Sequence, residues 1–191
     1  MLDWSMANGP GRRAVVWLQG CDLRCHGCCN PEFQPMTSGV EVKVTPALLS
    51  RWFVGLLQSD PELRGITLSG GEPLHPRQRA DVLSFIDLCR SSAPRPFDVM
   101  AFTGYLPVPD DVTGIDLFIA GPYEASMSNP SGIVSSLNQA IVRSSDAFVD
   151  VPDDVLLNGR RIVEVRMSQD GVVMVTGLSG VEETRGLLGL S

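Results

Sequence analysis

Lysine is almost missing from this sequence. Lys43 is the only one in 191 residues, so positive charge rests on arginine, and the formal net charge is -7. A chain this acidic gives no electrostatic support to a phosphate backbone, which argues against a nucleic-acid partner. Histidine is nearly as scarce, with His26 and His75 alone, and a histidine-rich zinc site therefore lacks ligands. No stretch approaches the ~20 apolar residues that a spanning helix needs. The N-terminal MLDWSMANGPGRR has no apolar segment of the secretory kind. These absences predict a cytoplasmic protein without a membrane span. In a reducing compartment five cysteines, an odd number, point to metal ligation or catalysis before disulfides.

What is present is an ordinary globular balance, 43% hydrophobic and 19% charged, enough for one good core. Residues 12–20 (RRAVVWLQG) read as a buried strand, and residues 40–44 (VEVKV) as a short edge strand. Thr45 reads as an N-cap with Pro46 at the first helical position. The helix that follows carries Leu48, Leu49, Trp52, Phe53, Leu56 and Leu57 on one face and stops near Ser59. Residues 65–73 (GITLSGGEP) form a strand running into a glycine turn. A helix is expected over 77–91, with Val82, Phe85, Ile86 and Cys89 on its apolar face. Residues 97–105 and 115–123 read as two more strands. Helices alternating with buried strands imply a parallel sheet. Residues 124–139 are polar and turn-rich. Residues 160–177 read as a hairpin turning at SQDG, expected to extend the sheet, and a short tail helix follows. The expected division is a core over 1–145 and an extension over 146–191, packed on it.

The chemistry concentrates in GCDLRCHGCCNPEFQP, from Gly20 to Pro35. Cys21, Cys25 and Cys28 fall in a C-x3-C-x2-C spacing, and Cys29 follows directly. Three thiolates this close can surround one metal centre in the way iron–sulfur clusters are held. With no distant fourth cysteine ligand, the spacing suggests a cubane with one iron open. Zinc is the alternative, but structural zinc wants four tethered ligands, usually from two separated knuckles, and there is no second knuckle. Cys29 reads as a neighbour, because a fourth thiolate would fill the open iron. Cys89, on a helix face, reads as a small core hydrophobe. His26 is placed to cover a cluster or face solvent, and His75 to sit in a loop.

At this point the sequence resembles a known group. CDLRCHGC is similar to the signature of the radical S-adenosylmethionine superfamily, and GGEP (Gly70, Gly71, Glu72, Pro73) resembles its motif for the methionine amino group. Glycines admit close approach of a ligand, and the exposed backbone of a strand end with Glu72 nearby suits an ammonium. NGPGRRAVVWLQGC resembles the segment preceding the cluster loop in activases of glycyl radical enzymes, with Arg13 on the arginine. TGY (Thr103 to Tyr105), DLFIAGPYE and SSLNQ occur in an order that resembles the anaerobic ribonucleotide reductase activating proteins. The resemblance covers about residues 8–139. It implies a partial (β/α) barrel of α/β class, a [4Fe–4S] cluster on Cys21, Cys25 and Cys28, and S-adenosylmethionine held by Gly70, Gly71, Glu72 and Pro73 with Thr103 and Tyr105. It also implies a glycyl radical enzyme as partner and a reductant such as flavodoxin or ferredoxin. Asn8, Cys29, Ala120 and Leu137 depart from the family pattern, which keeps open a tailoring enzyme for a small metabolite or ribosomal peptide. A non-catalytic iron–sulfur or zinc protein of the same fold is the reading from another class. Asn138 and Gln139 are placed to line the pocket or to form a turn.

Overall fold

A computed structural model describes residues 1–37, 44–171 and 173–177. The strand expected at residues 40–44 falls almost wholly outside the described residues, and so does the tail helix. The chain runs β1 (Leu2–Ser5), β2 (Arg12–Leu18), α1 (Pro46–Ser59), β3 (Leu63–Gly70), α2 (Arg79–Ser92), β4 (Asp98–Thr103) and β5 (Leu117–Ala120). It continues through β6 (Ala140–Arg143), α3 (Asp153–Asn158), β7 (Glu164–Met167) and β8 (Val173–Thr176). One six-stranded sheet is ordered β1-β2-β3-β4-β5-β6. Strands β2 to β5 are parallel, and β1 and β6 close the two edges antiparallel. This is a mixed α/β fold with a mostly parallel sheet.

Sequence chemistry accounts for the helices and strands. Thr45 caps α1 by accepting a hydrogen bond from Leu48 N at 3.2 Å, with Pro46 preset for the first turn. The buried line of α1 is Ser50, Phe53 and Leu57; Leu48, expected on that face, is half exposed. At 100° per residue the stripe facing the sheet is narrower than six apolar positions. In α2 the buried residues are the four expected, Val82, Phe85, Ile86 and Cys89. Successive strand residues point to opposite faces, and the sheet divides accordingly. Val16, Ile66, Leu68, Val99, Ala101 and Phe118 meet both helices. Met100, Leu117 and Ile119 turn the other way, onto Val134, Phe148, Val151 and Leu156. Sequential strands joined by right-handed crossovers place both helices on one side.

An ionic network anchors the second face. Arg13 is fully buried. It donates from Nε to Thr67 Oγ1 (2.8 Å) and from Nη2 to the Ile66 carbonyl (2.8 Å). Its Nη1 lies 2.5 Å from Asp98 Oδ1 as an ion pair, without the alignment of a hydrogen bond. Arg64 takes the other Asp98 oxygen at 2.5 Å and binds Asp150 as well. The Phe148 ring lies under both guanidinium groups, at 5.3 and 5.0 Å.

The hairpin forms where the SQDG turn predicts it, with Gly171 at φ +83°. The expectation that it extends the sheet is corrected: β7 and β8 make a separate two-stranded sheet. β1 and β6 end the main sheet, and neither pairs with β7 or β8. The hairpin docks through side chains instead. Met6 N donates to Glu164 Oε1, Arg166 donates to the Trp4 carbonyl and stacks on the Trp4 ring, and Asn8 Nδ2 donates to Thr176 Oγ1. No described helix is long and apolar enough to cross a membrane.

Candidate iron–sulfur site

The carboxyl ends of the parallel strands lie together, and each emits a loop. The loop after β2 carries the cysteines and closes on itself. Gly20 N donates to the Phe33 carbonyl at 2.8 Å and Cys21 N to the Gln34 carbonyl at 3.0 Å. Gln34 reaches back from its side chain to the Cys25 carbonyl. Cys21, Cys25, Cys28 and Cys29 are half buried, and every cysteine is a free thiol. The Cys29 thiol hydrogen-bonds Cys28, and this holds Cys28 down to about 6; the same bond, then burial, pushes Cys29 up. A depressed thiol is the ligand-competent form. Asn30 N also donates to Cys28 Sγ, at 3.4 Å.

The loop after β3 holds the glycine pair. Gly71 N donates to the Leu18 carbonyl at 2.7 Å and Glu72 N to the Gly20 carbonyl at 2.8 Å. A Cβ at Gly71 would stand 2.3 Å from the Gly20 carbonyl oxygen, so this turn needs glycine to seat against the cysteine loop. Glu72 is buried, 1% exposed. Its Oε1 accepts from Thr103 Oγ1 (2.7 Å) and Leu74 N (2.9 Å), and its Oε2 from Gly104 N (2.7 Å). Burial pushes this carboxyl up, against the pull of those three donors. Glu72 thus ties the loop after β3 to the loop after β4.

In that next loop, a Cβ at Gly104 would meet Leu23 Cδ1 at 2.1 Å, so the bare glycine is the seat for Leu23 of the cysteine loop. Tyr105 turns its hydroxyl to Asp22, 3.2 Å from Oδ1. Burial, then the Asp22 charge, pushes the phenol up to about 12. The fourth loop is held by Gln139, which donates to the Gly121 carbonyl and accepts from Ser135 and Ser136. Asn138 braces the Pro122 carbonyl.

One cavity of about 100 Å³ collects these loops. Cys21, Cys25, Cys28, Gly70, Gly71 and Thr103 line it, all six expected at the site from sequence. Cys29, Gly121, Tyr123 and Gln139 line it too. Glu72, Pro73 and Tyr105 do not. Glu72 and Pro73 are buried, and Tyr105 is spent on Asp22. His26 is exposed, and His75 accepts from Arg77 N within its turn. Sequence reasoning missed Leu23 and Gly104; an apolar residue between two cysteines was the available signal. Among the described residues no three Cys, His, Asp or Glu side chains converge on a single-ion position. A cubane is wider than an ion and takes each cysteine at a different corner, and three free thiols around one cavity fit that need.

The loop that gathers thiols on the end of a parallel sheet defines an iron–sulfur class of protein, and comparison with known families agrees. The model of the 4Fe-4S single cluster domain matches residues 7–142. The chain is 30% identical over 146 residues to the anaerobic ribonucleoside-triphosphate reductase-activating protein of Vibrio cholerae, covering 72% of this chain and 92% of that one. It is 34% identical over 100 residues to the protein of that name from Escherichia coli K12, spanning 52% of this chain and 63% of the relative. The Enterobacteria phage T4 protein of the same name is 27% identical over 148 residues, covering 73% of this chain and 88% of the relative. The chain therefore belongs to the 4Fe-4S single cluster domain family and to the family of these activating proteins.

Proposed function

We propose that this protein is a radical S-adenosylmethionine enzyme that activates a glycyl radical partner, an anaerobic ribonucleotide reductase, in the cytoplasm. The observation that carries the reading is the single cavity into which separate strand ends deliver Cys21, Cys25 and Cys28, Gly70 and Gly71, and Thr103. On this reading the sheet is the wall of an open partial (β/α) barrel, with the site at the carboxyl ends of its strands.

Cys21, Cys25 and Cys28 would hold a [4Fe–4S] cluster. When bound and reduced by a flavodoxin- or ferredoxin-like donor, it would supply the electron that cleaves S-adenosylmethionine to methionine and a radical able to take hydrogen from the partner's glycine. The chain's own residues bind and orient. Gly70 and Gly71 bring backbone to the methionine end of the ligand. An ammonium needs acceptors, and the Gly71 and Glu72 N–H groups are already given to Leu18 and Gly20. Glu72 acts beneath the cavity floor and, through its bond from Thr103 in the lining, fixes the turn that flanks the ligand. Tyr105 holds Asp22 and with it the start of the cysteine loop.

Anaerobic reconstitution with iron and sulfide, then incubation with dithionite and S-adenosylmethionine, should yield 5′-deoxyadenosine. A cluster-bearing preparation that yields none refutes the radical chemistry. One that yields it but raises no glycyl radical signal on the reductase refutes the activase assignment.

A further inference from the structure

Behind the cysteine loop lies a second, smaller cavity of about 40 Å³. Besides Cys29 and Asn30 of the cysteine loop, its walls come from three further parts of the chain. Ala7 and Asn8 belong to the connection between β1 and β2; Trp17, Ser69 and Phe102 rise from the sheet; Val175, Thr176 and Gly177 end the C-terminal hairpin. Cys29, Asn30, Ser69 and Phe102 line this cavity and the cluster-loop cavity alike. The two spaces adjoin across those four residues, and the hairpin end lines only the smaller, rear one.

The hairpin is held in that position by particular contacts. Asn8 and Thr176 are both buried. Asn8 Nδ2 donates to Thr176 Oγ1 at 2.9 Å and to Ser5 Oγ at 2.8 Å. The Asn8 carbonyl accepts from Thr67 Oγ1, which accepts in turn from Arg13 Nε. One polar chain thus runs from the buried arginine to the hairpin's last strand. A Cβ at Gly177 would stand 2.3 Å from the Ile162 carbonyl oxygen, which fixes the hairpin's close. Residues 164–177 also lie past the 7–142 span that the family model matches.

We propose that the end of this hairpin, Val175 to Gly177, closes the rear space that adjoins the substrate cavity and so sets substrate specificity, clamped by the Asn8–Thr176 hydrogen bond. The inference rests on the activase reading for the nature of the substrate. With the rear closed, the partner segment enters from the side of Tyr123 and Gln139. The portion passing Cys29 must be small, because the rear cavity holds a few water molecules or a short aliphatic group. A backbone segment without bulky side chains meets that limit.

The test uses the full chain carrying its iron–sulfur cluster, in wild type, Thr176→Val, Thr176→Ser and Val175→Ala. The first readout is the rate at which iodoacetamide alkylates Cys29, followed by mass spectrometry. Thr176→Val removes the clamp at nearly constant volume, and one hydrogen bond of ordinary net strength corresponds to about fivefold faster labelling. Val175→Ala should also label faster, and Thr176→Ser, which keeps the hydroxyl, at the wild-type rate. The second readout is the ratio of glycyl radical formed on the partner to S-adenosylmethionine cleaved, which should fall in Thr176→Val and Val175→Ala and recover in Thr176→Ser. Wild-type labelling rates in both Thr176→Val and Val175→Ala overturn the wall. Faster labelling with an unchanged ratio overturns its role in specificity. If the wild type cleaves no S-adenosylmethionine, the activase reading fails, and the labelling alone decides whether the hairpin walls the cavity.

Discussion

Replacing Glu72 by alanine should do more to the protein's stability than to its cluster. The carboxylate is buried and accepts from Thr103 Oγ1, Leu74 N and Gly104 N. Glu72→Ala strands these donors, and each unsatisfied buried donor costs ~1–3 kcal/mol. The threonine hydroxyl can turn elsewhere, and the cost of burying a carboxylate disappears with it, so the net loss should be about 2–4 kcal/mol. Glu72→Gln keeps an oxygen for Thr103 and Leu74 but sets an amide N–H against Gly104 N–H, for a loss of about 1–2 kcal/mol. Urea unfolding of the apo-protein reads both values. S-adenosylmethionine affinity should fall in the same order, because Gly104 seats Leu23, while iron content after reconstitution stays near wild type, since Glu72 does not line the cavity. If Glu72→Ala unfolds at the wild-type midpoint with an unchanged slope, the brace between the two loops does not exist.

Further outcomes follow from other contacts. Asp98→Asn leaves the fully buried Arg13 without its counter-charge, and a broken buried pair costs about 3–5 kcal/mol; equal thermal midpoints would contradict it. Cys21→Ala, Cys25→Ala and Cys28→Ala should each lose iron and sulfide on anaerobic reconstitution, with Cys29→Ala and Cys89→Ala retaining both; cluster loss in Cys29→Ala alone would overturn the ligand assignment. Gly71→Ala drives a methyl toward the Gly20 carbonyl and should abolish S-adenosylmethionine binding measured calorimetrically. Burial pushes the Cys89 thiol up to about 11. Its neutral form therefore stabilises the fold below the ordinary thiol value and loses that contribution as pH rises through about 11. Disulfide reagents at pH 8 should modify it only on unfolding.

The parts of the fold that were legible in the sequence were those governed by local rules. The threonine cap and proline of α1, the i, i+3, i+4, i+7 stripe of α2 and the apolar runs of β2 to β5 state their conformation within a few residues. β1 and β6 were illegible, because four-residue strands with mixed burial exist only through their neighbours. The hairpin could be read but not placed, since what holds it is contact between residues some 160 apart, such as Met6 with Glu164. In the site, cysteine spacing, strand-end position and the family resemblance singled out Cys21, Cys25, Cys28, Gly70, Gly71 and Thr103, and the structure brings these six to one cavity. The direction of a side chain was not encoded in the motif. Glu72 turns beneath the floor and Tyr105 toward Asp22, and tertiary neighbours alone decide that.

The strand order has a consequence for how the protein is made. Every strand of the main sheet lies beside its predecessor in the chain, so each new strand leaving the ribosome finds its partner already present. The cysteine loop follows β2 and emerges among the first segments, whereas the hairpin end at Val175 to Gly177 emerges more than a hundred residues later. The hairpin end therefore meets the cysteine loop only after every strand of the main sheet has been made, so the order of synthesis fixes the order in which the two can touch.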